Sequence, residues 1–161
     1  MAIRKIVELG KDDEVLHKRA RKVERFDARL HALLEDMAQT MTAGDGAGLA
    51  APQVGVLKRC CVVDVGEGLI ELVNPEIVSA EGEVTVIEGC RYVPGRAGRV
   101  VRPERVTVRA QDRFGEPFEI HGEGMLAICL CHEIDQLDGI IYVDKMIEDA
   151  TEELRQKGVL Q

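Results

Sequence analysis

The sequence predicts an α+β fold with antiparallel sheets and one central, buried helix. Three observations lead to this prediction. A helical pattern with one apolar face comes early in the chain, short β-branched runs separated by turn residues fill its middle, and seven consecutive apolar residues, 125–131, follow them. Strands grouped together between helices are typical of α+β domains.

Length and composition restrict the class of protein. The 161 residues, 45% of them hydrophobic and 31% charged, suit one globular domain over residues 1–161. The formal net charge of -8 argues against nucleic-acid binding, which needs basic residues to neutralise phosphates. No apolar run reaches about 18 residues, and no signal peptide is evident. We therefore expect a cytoplasmic monomer that does not bind membranes.

The first helix is expected to begin after Asp27, because aspartate is a favoured N-cap residue. Apolar residues then recur at intervals of three and four, which places them on one helical face. This face contains Leu30, Leu33, Leu34, Met37, Ala38 and Met41. Glycines at 44, 46 and 48 end the helix and open a loop.

Five short segments that follow carry strand signals. They are residues 58–65, 70–73, 84–87, 106–110 and 118–121, which are rich in valine and isoleucine. Glycines at 66 and 68, the Asn74-Pro75 pair and residues 112–117 separate these segments as turns. Short strands joined by turns predict antiparallel sheets.

Residues 125–137 are expected to form the central helix. The apolar run alone fits a buried strand or a buried helix, but Ile134 and Leu137 extend it beyond ten residues. Asp138-Gly139 then supplies a C-terminal stop. A helix that is apolar on nearly every side must lie in the middle of the domain. A short polar helix is expected over residues 148–157.

The central helix also carries His132 and Glu133. A carboxylate is costly to bury without a partner, which favours a functional role for this pair. In the His-Glu-x-x-His pattern of metal hydrolases, two histidines hold a metal and the glutamate is the general base. Gln136 stands at the position of the second histidine, so the spacing alone leaves a metal site and an ordinary core histidine as alternatives.

Two other segments contain candidate functional residues. Residues 46–53, Gly-Ala-Gly-Leu-Ala-Ala-Pro-Gln, form a small-residue loop that ends in the Gln53 amide. On its own this loop can be a tight connection in which backbones approach closely. Residues 88–90, Glu-Gly-Cys, place the Cys90 thiol after a strand, where an ordinary loop cysteine is the alternative.

Together, the three segments resemble the motifs of peptide deformylases. Residues 46–53 match the family's Gly-x-Gly-Leu-Ala-Ala-x-Gln motif completely, and residues 88–90 match the start of Glu-Gly-Cys-Leu-Ser. Residues 132–137 match His-Glu-x-Asp-His-Leu except at Gln136. The order and spacing agree over residues 3–146, so the chain is identified as a member of this family.

The resemblance implies a hydrolase that removes the formyl group from the N-terminal formyl-methionine of new peptides and releases formate. In this family, antiparallel sheets wrap around a central helix that carries the metal ligands. One divalent ion, Fe²⁺ or Zn²⁺, is implied to bind Cys90, His132 and the residue at 136. Glu133 is implied to take the proton of the attacking water. Gln53 and the backbone N–H of Arg91 are implied to donate to the oxyanion.

The resemblance also implies where the substrate binds. The peptide is expected to lie extended, with its methionine side chain in an apolar pocket. Gly48 is assigned to the catalytic set as well as to this pocket. The implied substrate-binding residues are Ala47, Gly48, Leu49, Glu88, Met125, Ile128 and Cys129.

Three features depart from the family pattern. Gln136 offers an amide oxygen, a weaker ligand than imidazole for Fe²⁺ or Zn²⁺, so Cys129 or His121 are alternative ligands. Arg91 and Tyr92 replace the usual Leu-Ser and add a positive charge at the substrate groove. The acidic C-terminal tail does not favour docking to ribosomal RNA.

These departures leave two alternatives to a deformylase. One is a non-catalytic relative that binds formyl-methionyl peptides, and the other is a hydrolase of a different N-acyl or amide substrate. Glu133 favours an enzyme, because a buried carboxylate without a catalytic or metal-related role would lack an explanation.

Overall fold

The structure is a computed structural model that describes residues 2–7, 15, 17–90 and 93–158, and only the backbone at residues 90 and 93–95. Its elements are α1 (Ala28–Ala43), β1 (Gly48–Ala50), a 3₁₀ turn (Ala51–Val54), β2 (Cys60–Val63), β3 (Ile70–Glu81), β4 (Val84–Cys90), β5 (Val93–Arg102), β6 (Arg105–Gln111), β7 (Pro117–Glu123), α2 (Met125–Leu137), α3 (Tyr142–Lys145), β8 (Glu148–Asp149) and α4 (Thr151–Gln156). The predicted α+β class is confirmed.

The strands form two antiparallel sheets. The larger sheet has the order β1-β2-β3-β6-β7, and the smaller one has the order β4-β5-β8. Every neighbouring pair in both sheets is antiparallel. None of the helices in the described part of the chain is long and apolar enough to cross a membrane.

Strand β2 shows how the larger sheet divides the core. Its four residues are all buried, and successive side chains in a strand point to opposite faces. Cys60 and Val62 pack in one cluster with the apolar face of α1. Cys61 and Val63 pack in another cluster with α2. The larger sheet therefore lies between these two helices, and α2 occupies the centre, as predicted.

Helix α1 follows the predicted pattern closely. The Asp27 carboxylate accepts a hydrogen bond from the Leu30 backbone N–H at 3.1 Å and caps the helix. The predicted leucines and methionines of its apolar face are buried, and Ala38 is half-buried.

The Asn74-Pro75 pair does not end a strand, contrary to the prediction. Strand β3 continues through it to Glu81, with a register shift between Val73 and Glu76. Asn74 has a φ of 50°, and its side chain bonds both the N–H and the C=O of Val23. These bonds to a distant segment stabilise a bulge where local sequence favours a break.

The C-terminal tail also differs from the single predicted helix over residues 148–157. Glu148 and Asp149 pair with β5 as a short strand, and the Ala150 N–H donates to the Ala97 carbonyl at 2.9 Å. Only Thr151–Gln156 is helical. Pairing with β5, a strand that the sequence did not predict, changes the conformation of these residues.

Candidate active site

Helix α2 carries several polar side chains of the candidate site. His132, Glu133 and Gln136 are on this helix, and the last two are almost fully buried. Gln136 comes one helical turn after His132, so the two side chains share a face. The Gln136 Nε2 atom lies 2.7 Å from the His132 Nε2 atom, which is hydrogen-bonding distance.

Glu133 is buried in an unusual environment for a carboxylate. It is 2% exposed, and its Oε1 atom has no hydrogen-bond partner among the described residues. Burial raises the pKa of Glu133 to about 7, and the nearby Glu88 carboxylate adds to this effect, against the opposing charge of Arg102. A carboxyl group with this pKa can both accept and release a proton near neutral pH.

A buried ion-pair network holds His132 from the opposite side. Arg102 on β5 donates to both oxygens of Glu88 on β4, at 2.6 and 2.8 Å. Glu88 Oε1 is also 2.6 Å from His132 Nδ1, and Arg102 contacts Asp135 on α2 at 2.5 Å. Burial alone would raise the pKa of Glu88, but the hydrogen bonds from Arg102 and His132 outweigh it and lower the pKa to about 2. Glu88 is therefore a permanent carboxylate that fixes the orientation of the His132 ring.

The small-residue loop approaches α2 at Gly48. A Cβ atom at this position would lie 2.5 Å from Glu133 Oε2 and 2.9 Å from Cys129 Sγ. The neighbouring Ala47 carbonyl accepts a hydrogen bond from the Cys129 thiol at 3.3 Å. Burial raises the pKa of Cys129 far above neutrality, so this thiol stays protonated as part of the wall.

Gln53 stands in the 3₁₀ turn that follows β1. It is 3% exposed, and its Oε1 atom accepts the Ala50 backbone N–H at 2.8 Å. This bond fixes the side-chain amide, so that the donor end, Nε2, is the end turned away from Ala50.

These groups surround one cavity of about 360 Å³. Its wall combines small and apolar residues with the polar groups of α2, β4 and the 3₁₀ turn. The lining residues are Gly46, Ala47, Gly48, Gln53, Val86, Ile87, Glu88, Gly89, Met125, Ile128, Cys129, His132 and Glu133. The cavity thus places the carboxyl of Glu133 and the amide of Gln53 beside an apolar surface.

Most residues predicted for the site line this cavity, with some exceptions. Leu49 does not, because its side chain points to the other face of β1 and packs with α1. Gln136 does not line it either, although its amide contacts the His132 ring. Arg91, Tyr92 and the Cys90 side chain lie outside the described residues, although Cys90 ends β4 two positions after Glu88. Among the described side chains, no three His, Cys, Asp or Glu residues form a metal-binding group.

Sequence reasoning missed Val86 and Ile87, which line the cavity from β4. A usable signal existed for Val86, because residues two apart in a strand share a face and Glu88 was already a candidate. No comparable signal existed for Ile87, because strand alternation places it on the face opposite to Glu88.

The fold and the site fit a hydrolase, with a buried carboxyl group on the central helix beside an apolar cavity. The family model described as polypeptide deformylase matches residues 3–152. The peptide deformylase of Caldicellulosiruptor bescii is 56% identical over 98% of this chain and 96% of its own length. The chain belongs to the polypeptide deformylase family and is an enzyme that removes a formyl group.

Solved structures agree with this assignment. A peptide deformylase from Legionella pneumophila superposes with a TM-score of 0.87 at 50% identity, covering 98% of this chain and 94% of that one. The peptide deformylase from Synechococcus elongatus in complex with actinonin gives a TM-score of 0.85 at 38% identity, over 95% and 85% of the two chains. The deformylase family is metal-dependent. The two alternatives, a non-catalytic binder and a hydrolase of another acyl group, are not favoured.

Replacing Gly48 by alanine is expected to lower formate release by about 100-fold, because the new methyl group would displace the Glu133 carboxylate. Steady-state formate release measures this effect. Gly46→Ala, which also adds a methyl group to the cavity wall, is the matched control, since its Cβ would meet no atom closer than 3.6 Å. Similar losses in both variants would show that Gly48 does not act through its contact with Glu133.

Proposed function

We propose that this enzyme removes the formyl group from N-terminal formyl-methionine of peptides, using the residues of the α2 cavity. Glu133 moves the proton, Gln53 and the Arg91 backbone N–H stabilise the oxyanion, and Cys90, His132 and Gln136 hold one divalent ion. The observation that carries this assignment is the buried Glu133 carboxyl, whose Oε1 has no partner among the described residues, in the wall of a cavity shared with Gln53.

Glu133 acts as the proton carrier in this mechanism. Its carboxylate accepts a proton from the attacking water and passes it to the departing α-amine, so that formate and a free amine are released. A pKa of about 7 suits both steps, because neither protonation state is strongly favoured near neutral pH. Gly48 keeps the space beside Glu133 Oε2 open for this exchange.

Gln53 stabilises the negative charge that develops on the formyl oxygen. The bond from the Ala50 N–H holds the amide in place before the substrate arrives, so no reorganisation is needed during the reaction. The backbone N–H of Arg91 is the second proposed donor, since a main-chain donor survives the change of side chain from the family's leucine.

The apolar part of the cavity is proposed to bind the methionine side chain. Met125, Ile128 and Cys129 contribute one wall from α2, and Val86 and Ile87 contribute the facing wall from β4. An apolar wall with few polar groups favours an apolar side chain through the area that the side chain buries. Glu88 takes part indirectly, by holding His132.

The donor types at positions 90, 132 and 136 fit a divalent ion. Thiolate, imidazole and amide oxygen all bind such ions, and the hydrogen bond between Glu88 and His132 Nδ1 directs His132 Nε2 towards Gln136. When bound, Fe²⁺ or Zn²⁺ supplies Lewis-acid activation of water, lowering its pKa toward about 7.

The expected setting is the cytoplasm, with a formylated peptide as substrate and the enzyme as a monomer. Ribosome docking through α4 is not supported by charge. This helix contains Glu152 and Glu153, and the preceding strand adds Glu148 and Asp149. Acidic residues repel the phosphates of ribosomal RNA.

The direct test is release of formate from a formyl-methionyl tripeptide by the Fe²⁺-loaded enzyme, prepared without oxygen. An N-acetyl tripeptide of the same sequence serves as the comparison substrate. We expect release of formate and no release of acetate. Release of acetate alone, or peptide binding without release of either acid, would contradict the proposal.

Gln53→Glu is expected to lower kcat/KM for formate release by about 10²–10³-fold, because it removes the donor proposed for the oxyanion. The new side chain keeps an oxygen acceptor for the Ala50 N–H, so the 3₁₀ turn retains that bond. Gln39→Glu, at an exposed position of α1, controls for the added charge. An unchanged kcat/KM in Gln53→Glu would remove Gln53 from the mechanism.

A further inference from the structure

The hydrogen bonds of Glu88 determine which nitrogen of His132 carries the proton. Arg102 donates to both Glu88 oxygens, so Glu88 is a carboxylate and can only accept. Its Oε1 atom lies 2.6 Å from His132 Nδ1, and Nδ1 must therefore be the donor. In a neutral imidazole the lone pair is then on Nε2, the nitrogen that a metal ion would use.

The Gln136 amide contacts this same nitrogen. Its Nε2 atom is 2.7 Å from His132 Nε2, and an amide NH₂ can only donate. The Gln136 N–H therefore donates to the lone pair of His132. Gln136 is 1% exposed and lies one turn along α2, so packing holds the amide at this position.

The two ends of the Gln136 amide have opposite effects on a metal ion. The nitrogen end has no lone pair to offer and occupies the one on His132, whereas the oxygen end can coordinate. Metal binding then needs two changes: the bond to His132 must break, and the amide must turn so that Oε1 faces the ion.

We propose that Gln136 is an internal competitor for the metal, which caps His132 in the metal-free enzyme and becomes a weak ligand only after its amide turns. This inference rests on the metal site proposed above. Loss of a residue that only hydrogen-bonds to a metal ligand typically lowers the metal affinity by about 10–100-fold. Capping of His132, added to replacement of an imidazole ligand, is expected to lower the affinity for Zn²⁺ by at least about 100-fold relative to a chain with histidine at 136.

The test is Zn²⁺ affinity, measured by competition with a chromophoric chelator on the full chain after removal of metal. We expect Gln136→His to bind Zn²⁺ at least about 100-fold more tightly than the unmodified chain. Gln39→His adds a histidine on the exposed side of α1 and is expected to leave the affinity unchanged. His132→Ala is expected to lose binding at the site.

The variants separate failure of this inference from failure of the proposed site. Equal affinities for Gln136→His and the unmodified chain, with loss of binding in His132→Ala, would overturn the inference and leave the metal site intact. Unchanged affinity in His132→Ala would overturn the metal site, and the inference with it.

A second measurement needs no variant. In the metal-free chain labelled with ¹⁵N, the bond predicts a nitrogen–nitrogen scalar coupling between Gln136 Nε2 and His132 Nε2. Added Zn²⁺ is expected to abolish this coupling. Absence of the coupling in the metal-free chain, or its persistence with Zn²⁺ bound, would overturn the inference.

Discussion

Glu133→Gln is expected to reduce the kcat of formate release by about 10²–10⁴-fold, the usual contribution of a general acid–base group. Glutamine has the same shape but cannot accept the water proton or return it to the amine. The buried carboxyl has no partner for its Oε1 among the described residues, so a neutral amide should not destabilise the fold. Formate release and urea unfolding, measured on the same preparation, check both expectations.

Peptide binding separates a chemical role of Glu133 from a structural one. The variant should bind a methionyl peptide product with unchanged affinity, because the apolar walls from α2 and β4 remain. Glu67→Gln removes an equal charge at an exposed turn and controls for net charge. A Glu133→Gln enzyme that keeps more than about a tenth of its turnover would show that another group carries the proton.

The two long helices, and the central position of α2, could be predicted because their apolar patterns are local in the sequence. The apolar periodicity of α1 and the uninterrupted apolar run of α2 each exceed what a strand would need. Because His132 and Gln136 are one turn apart on α2, their side chains could be predicted to lie on the same helical face. The family motifs contributed something that periodicity could not. They predicted that Gln53 and Gly48 belong to the same site as the residues of α2.

The missed elements depend on contacts between distant parts of the chain. Strand β5 contains Gly98, which indicates a loop when read locally. In the structure a Cβ at 98 would collide with the Met146 side chain, so glycine is needed there for close packing. Asn74 is similar, because its bonds to Val23 turn an expected break into a bulge. Contacts with residues this far away along the chain cannot be predicted from a local sequence pattern.

The contact between Gln136 and His132 shows the same limit at the site. The sequence identified Gln136 as a weak ligand from its chemistry, but the orientation of its amide depends on the proton position of His132. The position of that proton is set by Glu88 and Arg102, which lie on strands β4 and β5 of the smaller sheet. The electrostatics of the helix are thus determined by residues more than 30 positions away along the chain, as the 33-residue separation of Arg102 and Asp135 illustrates.

Arg102→Met is expected to destabilise the protein by about 3–5 kcal/mol, the cost of leaving a buried charge without its partner. The Arg102 side chain is 2% exposed and is the donor to both oxygens of Glu88 and to Asp135. Without it, the buried Glu88 carboxylate keeps only its contact with His132 among the described residues. Urea unfolding gives the change in the free energy of unfolding.

Arg105→Met is the matched control, because it removes the same guanidinium from the start of the next strand at a half-exposed position. Its pairs with Glu81 at 3.4 Å and Glu104 at 3.8 Å lie in solvent, where such pairs contribute less than about 1 kcal/mol. Salt should reduce the small effect of Arg105 more than the large effect of Arg102, since buried pairs are screened less. Losses of stability that agree within about 1 kcal/mol for the two variants would mean that water already reaches the Glu88 network, and that it does not hold His132 rigidly.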